Sequence, residues 1–169
     1  MSIISWNCQG LGNPEAVRAL HSLVKIKDPK VLFLIETKLD AVRMEGIRVK
    51  LGFYNVFTVP SMGRSGGLAL LWRGEMSMVI KKFSQHHIDA HVESTVEQGW
   101  RLTGFYGHPE QHQRRESWAL LKHLSRMESI PWLYIGDFNE ILSMSEKMKV
   151  EIGQFGKSWH SRMRLIFVN

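Results

Sequence analysis

Val31-Leu32-Phe33-Leu34-Ile35-Glu36 is a run of five apolar residues closed by one carboxylate. Unbroken rather than alternating hydrophobicity is the mark of a strand covered on both faces, as in a parallel or mixed sheet held between layers. Leu68-Ala69-Leu70-Leu71-Trp72 repeats the pattern, and Trp132-Leu133-Tyr134-Ile135 is a third such strand, ending in Gly136-Asp137-Phe138-Asn139. Upstream, Ser2 to Trp6 is rich in strand formers and stops at Asn7, with Gly10 and Gly12 close behind. That is a buried strand running into a glycine-rich turn. Further strands are predicted over 53–59, 78–83, 88–93 and 100–106, with 60–67 as loop and a last strand at 165–168.

Helices fill the gaps. Asn13-Pro14 supplies an N-cap and a proline suited to the first helical position. Val17, Leu20, Leu23 and Val24 follow at helical spacing, which predicts a helix over 14–27 with one core face. A charge-rich helix is predicted over 41–51. Pro109 is read as opening another through Met127, with Leu120, Leu121, Leu124 and Met127 on one face. Buried strands mixed with such helices give an α/β domain whose sheets are covered on both faces.

Composition narrows the class. The chain has 169 residues, 44% hydrophobic and 22% charged, near the globular average of about 45–50% and about 25%. Disorder and collagen-like repeats are thereby excluded. One cysteine, Cys8, makes no internal disulfide and reads as a small buried side chain. The apolar runs at 31–35 and 68–72 fall far short of the roughly 20 residues a membrane span needs. The N-terminus has no basic segment of a secretory signal, so a soluble intracellular protein is expected. A net charge of +6 favours polyanionic partners. From Ser143 onward the periodicity fades, so residues 1–142 read as the core and 143–169 as a diverged or truncated tail.

Three buried strands end in residues suited to metal or phosphate chemistry: Asn7, Glu36 and the Asp137/Asn139 pair. If they lie side by side and point the same way, these groups meet at the carboxyl rim, where α/β sheets bind ligands. One or two carboxylates with amide oxygens suit Mg²⁺, which keeps waters and substrate phosphates as its other ligands. The alternatives are structural. Asn7 can be a turn residue, Glu36 the point where the strand reaches water, and 136–139 an ordinary Asp/Asn turn. Tyr106 and His108 close another strand, either as phosphate contacts or as an amphipathic edge residue and a loop residue. Gly63 to Gly67 is either a flexible connection or a backbone cradle that, with Arg64, meets a phosphate. It lacks the Lys-Ser/Thr ending of a Walker A loop. The eight histidines show no zinc spacing, and Lys81-Lys82 and Arg114-Arg115 read as solvated faces.

Ser5-Trp6-Asn7-Cys8-Gln9-Gly10-Leu11-Gly12, Phe33-Leu34-Ile35-Glu36-Thr37-Lys38, Gly66-Gly67-Leu68-Ala69-Leu70-Leu71-Trp72, Phe105-Tyr106-Gly107 and Gly136-Asp137-Phe138-Asn139 occur in that order. In this the chain resembles the endonuclease/exonuclease/phosphatase superfamily, and most of all the endonuclease domain of plant non-LTR (LINE-type) retrotransposons. The resemblance implies a four-layer αββα sandwich, two mixed β-sheets flanked by helices, incomplete at the C-terminus. It implies Mg²⁺-dependent nicking of DNA phosphodiesters, with Mn²⁺ a substitute. The 3′-hydroxyl left behind would prime a reverse transcriptase carried by the full-length polypeptide, in the nucleus. By the same resemblance Glu36 is the principal metal ligand and Asn7 its neighbour. Asp137 orients or deprotonates the attacking water, and Asn139 and Tyr106 contact the phosphate.

The chain departs from that pattern late. No aspartate follows Asp137, and the late His160 is preceded by Trp159 rather than by aspartate. Losing a positioned acid–base group costs about 10²–10⁴ in rate. The expectation is therefore a family fragment of low or no activity. The alternatives are an inactive nucleic-acid-binding remnant and a phosphatase or phosphodiesterase for small phosphorylated substrates.

Overall fold

Alternation along the strands sorts the core into two layers. The computed structural model describes residues 1–63, 66–94 and 99–139, together with the backbone of Arg164–Val168. Its elements are β1 (Ser2–Asn7), α1 (Pro14–Lys27), β2 (Val31–Ile35), α2 (Ala41–Leu51), β3 (Asn55–Val59) and β4 (Leu68–Trp72). They continue as β5 (Met78–Ser84), β6 (His87–Val92), β7 (Trp100–Tyr106), α3 (Arg114–Ser125), β8 (Trp132–Asp137) and β9 (Arg164–Val168). One sheet has the order β3-β4-β2-β1-β9 and the other β5-β6-β7-β8. Both are mixed: β1 pairs parallel with β2 and β9 while β4 is antiparallel to β2 and β3. In the second sheet β8 is parallel to β7, and the rest is antiparallel.

Ile3, Val31, Phe33, Ile35, Leu68 and Leu70 of the first sheet pack with Ile88, Ala90, Leu102, Leu133 and Ile135 of the second. This apolar layer lies between the sheets. Ile4, Leu32, Leu34, Ala69 and Leu71 face the other way and pack with Leu20 and Val24 of α1 and Met44, Ile47 and Leu51 of α2. Every β2 residue is thus buried, which is why the strand carries no polar alternation. On the far side of the second sheet, Arg101 Nη1 donates to Leu124 O of α3 at 2.7 Å. The four-layer α/β sandwich expected from the sequence is the observed fold.

Local signals set most boundaries. Asn13 Oδ1 accepts from Glu15 N–H at 2.9 Å, Pro14 starts α1, and Asp28 ends it in a left-handed conformation. Asp40 caps α2 through Arg43 N–H, and Gly52 closes it at φ +70. Several boundaries differ from the sequence reading by a residue or two, α3 ending at Ser125 rather than Met127 among them, and two starts differ for visible reasons. Phe53 N–H is taken by Arg48 O at the end of α2, so β3 begins at Asn55. Pro109 does not open α3. The adjoining His108 N–H donates to Ser117 Oγ and Gly107 O accepts from Asn139. These bonds hold 107–109 as a loop, and α3 starts at Arg114 after a 3₁₀ turn at Gln111–Gln113. Among the described residues no helix is long and apolar enough to cross a membrane. Of the tail, the backbone of Arg164–Val168 extends the first sheet; the rest of 143–169, His160 included, lies outside the described residues.

Candidate active site at the strand ends

β1, β2, β7 and β8 finish at the same edge of the sandwich, with Asn7, Ile35, Tyr106 and Asp137 as their last residues. Parity places three side chains there directly. Asn7 follows Ile3 and Ser5 on the face between the sheets, Asp137 follows Leu133 and Ile135, and Tyr106 belongs to the same buried layer. Glu36 is the exception. Strict alternation would send it to the helix side with Leu32 and Leu34. Its backbone is left-handed, at φ 55, and this breaks the alternation and brings the carboxylate to the Asn7 side. A non-glycine residue there costs roughly 1–2 kcal/mol, and strain of this kind clusters at functional sites.

Neighbouring loops hold that turn. Thr37 N–H donates to Gly67 O at 3.0 Å, Lys38 N–H to Gly66 O at 3.1 Å, and Leu11 N–H to Thr37 O at 2.9 Å. Gly67 sits at φ +88, and a Cβ there would stand 2.5 Å from Thr37 Oγ1. The Gly66-Gly67 carbonyls thus secure the turn that carries Glu36. Arg64, read from the sequence as a phosphate contact in the same loop, lies outside the described residues.

The polar side chains are tied together through two atoms, Asn7 Nδ2 and Glu36 Oε1. Asn7 Nδ2 donates to Glu36 Oε1 at 3.1 Å and to Asp137 Oδ2 at 3.0 Å. Asn7 Oδ1 accepts from Gln9 N–H at 3.2 Å, which fixes the amide with its nitrogen toward the carboxylates. Tyr106 donates its hydroxyl proton to Glu36 Oε1 at 2.9 Å. Burial first, then this bond and the Glu36 and Asp137 charges, push the Tyr106 phenol well above the usual tyrosine range. It is a hydrogen donor at any physiological pH.

Asp137 and Asn139 form a compact turn. Asp137 Oδ1 accepts from Asn139 N–H at 3.0 Å, and Asn139 Nδ2 donates to Gly107 O at 2.6 Å. Gly107 N–H donates to Asp137 O at 2.7 Å. The ends of β7 and β8 approach so closely that a Cβ at Gly136 would overlap the Phe105 carbonyl. One Asn139 N–H is therefore structural, and among the described residues no partner takes the second. His108 lies at the same rim, its Nε2 3.7 Å from Glu116 Oε2. It has a partner that the sequence did not single out: His86, whose ring centroid is 3.8 Å from that of His108 and whose Nδ1 is 3.0 Å from Tyr106 O. Burial holds the His86 imidazole below the usual histidine range. Only the β6–β7 register brings His86 beside Tyr106. Cys8 is buried as expected, and burial pushes its thiol up to about 12, which leaves it inert as a nucleophile.

The donor set fits a divalent cation. Glu36 and Asp137 bring two negative charges to one amide group, and Asn7 and Tyr106 are neutral donors that cancel neither. Lys38 Nζ stands 4.0 Å from Glu36 Oε2. Among the described residues no group of three or more His, Cys, Asp and Glu side chains gathers to hold an ion. Mg²⁺ needs no such cage, because water and substrate phosphate complete its shell.

Several solved structures share the fold. Humanized TDP2 of D. rerio matches at 20% identity and a TM-score of 0.63, over 83% of this chain and 66% of that one. The endonuclease domain of TRAS1, a telomere-specific non-LTR retrotransposon, matches at 13% identity and 0.62, over 83% and 61%. An AP endonuclease from Archaeoglobus fulgidus matches at 18% and 0.60, over 80% and 56%. The chain thus spans roughly three-fifths of the length of these structures, and the likeness is one of fold. No curated protein sequence matches it. Residues 4–156, however, match the Endonuclease/Exonuclease/phosphatase family, and with the strand-end constellation this decides the matter: the chain belongs to the Endonuclease/Exonuclease/phosphatase family.

Proposed function

We propose that the chain carries the cation-binding part of a DNA-nicking phosphodiesterase of the non-LTR retrotransposon type. Members of the family hydrolyse phosphodiester bonds. The observation that carries the reading is the single Asn7 nitrogen shared by Glu36 and Asp137. It sets two carboxylates on either side of one fixed amide, and on this reading Glu36 holds the metal and Asp137 activates the water. Glu36 would hold Mg²⁺, or Mn²⁺ in its place, with Asn7 setting the orientation of both carboxylates. A bound Mg²⁺ would supply Lewis-acid polarisation of the phosphoryl group. Asp137 accepts two N–H bonds and would take the proton of the attacking water. The second Asn139 N–H would meet the charge that builds on a phosphate oxygen. The one proton of Tyr106 is committed to Glu36, so Tyr106 acts first on the cation-holding carboxylate and meets a phosphate only on leaving it. His108 extends the phosphate-binding rim.

DNA is the proposed partner, since the net charge of +6 suits a polyanion. Among the neighbours of like fold, one TDP2 structure holds a single-strand DNA product and a Neisseria 3′ phosphatase a DNA hairpin. Action with a reverse transcriptase on chromosomal DNA would place the protein in the nucleus. Because no aspartate follows Asp137, the 169-residue chain should turn over slowly. Plasmid nicking in Mg²⁺ tests this. The wild type should nick slowly, and Glu36→Ala and Asp137→Ala should nick less. Equal residual nicking in all three would refute the assignment. The second reading, a nucleic-acid-binding remnant without catalysis, is favoured by the same late sequence. It predicts salt-sensitive DNA binding with no cleavage.

A further inference from the structure

Lys38 has no part in the roles above, yet its placement is closely fixed. Its backbone is left-handed at φ 53, and its N–H is fixed to Gly66 O at 3.1 Å. Its stem lies across Gly10, where a Cβ would stand 3.3 Å from Lys38 Cδ, and Gly10 itself is at φ +114. The ammonium ends 4.0 Å from Glu36 Oε2, with the Lys38 side chain 39% exposed and that of Glu36 23%. A lysine extending freely into water needs no such left-handed backbone.

We propose that Lys38 is a tethered counter-ion of the cation site: it balances Glu36 while no divalent ion is bound, competes with that ion for Glu36, and once displaced faces a phosphate of the nucleic acid. The proposal rests on the reading of Glu36 as the cation ligand. At 4.0 Å the contact is longer than a hydrogen bond, so the ammonium attracts the carboxylate through charge alone and can be moved off it. The tether matters because a displaced ammonium stays at the rim instead of diffusing away. Glu36 Oε1 is already occupied by Asn7 and Tyr106, which leaves Oε2 as the oxygen for which the two cations compete.

The test is a Mn²⁺ titration at low ionic strength, reading free Mn²⁺ by electron paramagnetic resonance, on wild type, Lys38→Met and Lys38→Arg. Methionine keeps an unbranched stem over Gly10 and removes the charge. Lys38→Met should bind Mn²⁺ roughly threefold to tenfold more tightly, the scale of one partly exposed ion pair, while Lys38→Arg stays at the wild-type constant. In Mn²⁺, the salt dependence of DNA affinity should lose about one phosphate contact in Lys38→Met, a slope smaller by about 0.9. Equal or weaker Mn²⁺ binding by Lys38→Met overturns the competition, and an unchanged salt slope overturns the phosphate contact. A wild type that binds no Mn²⁺ overturns the cation site itself, and the role of Lys38 with it.

Discussion

Glu36 and Asp137 share a hydrogen-bond donor: Oε1 of the first and Oδ2 of the second each accept from Asn7 Nδ2, at 3.1 and 3.0 Å. Two carboxylates from different sheets are thereby held within reach of one ion. The arrangement places like charges together with only neutral donors between them, so a divalent ion should stabilise the fold. Ligand at 100 times its dissociation constant contributes about 2.7 kcal/mol. For a chain of this size that corresponds to a melting temperature higher by roughly 5–10 °C. Differential scanning calorimetry should show this rise with Mg²⁺ in the wild type and none in Glu36→Gln. Without metal, Glu36→Gln should melt close to the wild type, because relief of the repulsion from Asp137 is offset by loss of the Lys38 contact.

Tyr106 gives a pH signature. Its folded-state pKa is raised, by burial first and then by Glu36, so the native state holds the proton more tightly than the unfolded chain. The associated stability is fully present below the ordinary tyrosine pKa of about 10 and is lost as pH rises beyond it. Ultraviolet titration should find one tyrosine ionising above the ordinary range and absent in Tyr106→Phe. The same variant should lose the steepest part of the alkaline fall in stability.

Phe33 and Gly104 interlock between the sheets. A Cβ at Gly104 would overlap the Phe33 ring, and both positions lie in the layer that joins β2 to β7. Gly104→Ala should destabilise by about 1–3 kcal/mol through overpacking. Gly104→Ala with Phe33→Leu should recover part of that loss. Urea unfolding midpoints measure both.

Arg101 and Asp89 form a buried pair at 2.8 Å, with side chains 2% and 3% exposed. Thr103 Oγ1 also donates to Asp89 Oδ1, Trp132 Nε1 donates to Thr103 Oγ1, and Arg101 reaches the Leu124 carbonyl of α3. Removing one partner strands a buried charge, so Asp89→Ala should cost about 3–5 kcal/mol, and Asp89→Ala with Arg101→Met much less. Denaturant titration separates the two outcomes.

The helices at 14–27 and 41–51 and the strands at 31–35, 68–72 and 100–106 have the limits their sequences suggest. The signals there are local: Asn13-Pro14, Asp40, Gly52 and unbroken apolar runs. The same kind of signal misleads at Pro109, because bonds from Asn139 and Ser117 claim the groups around it. Asn7, Glu36, Tyr106, Asp137 and Asn139 were visible as strand-end residues, and the structure brings all five to one rim. Their geometry was not visible. Nothing in the sequence announces that Glu36 is left-handed, or that one amide nitrogen serves both carboxylates. Lys38 and His86 come into view only through long-range pairing, by the turn clamped on Gly66 and by the β6–β7 register.

The central claim is that Glu36 is the cation ligand. A crystal soaked in Mn²⁺, with anomalous diffraction collected at the manganese edge, measures it directly. The account predicts an anomalous peak about 2.1 Å from a Glu36 carboxylate oxygen, on the Asp137 side of Asn7, and its loss in Glu36→Gln. A saturating soak with no peak at Glu36, or the same peak persisting in Glu36→Gln, would contradict it.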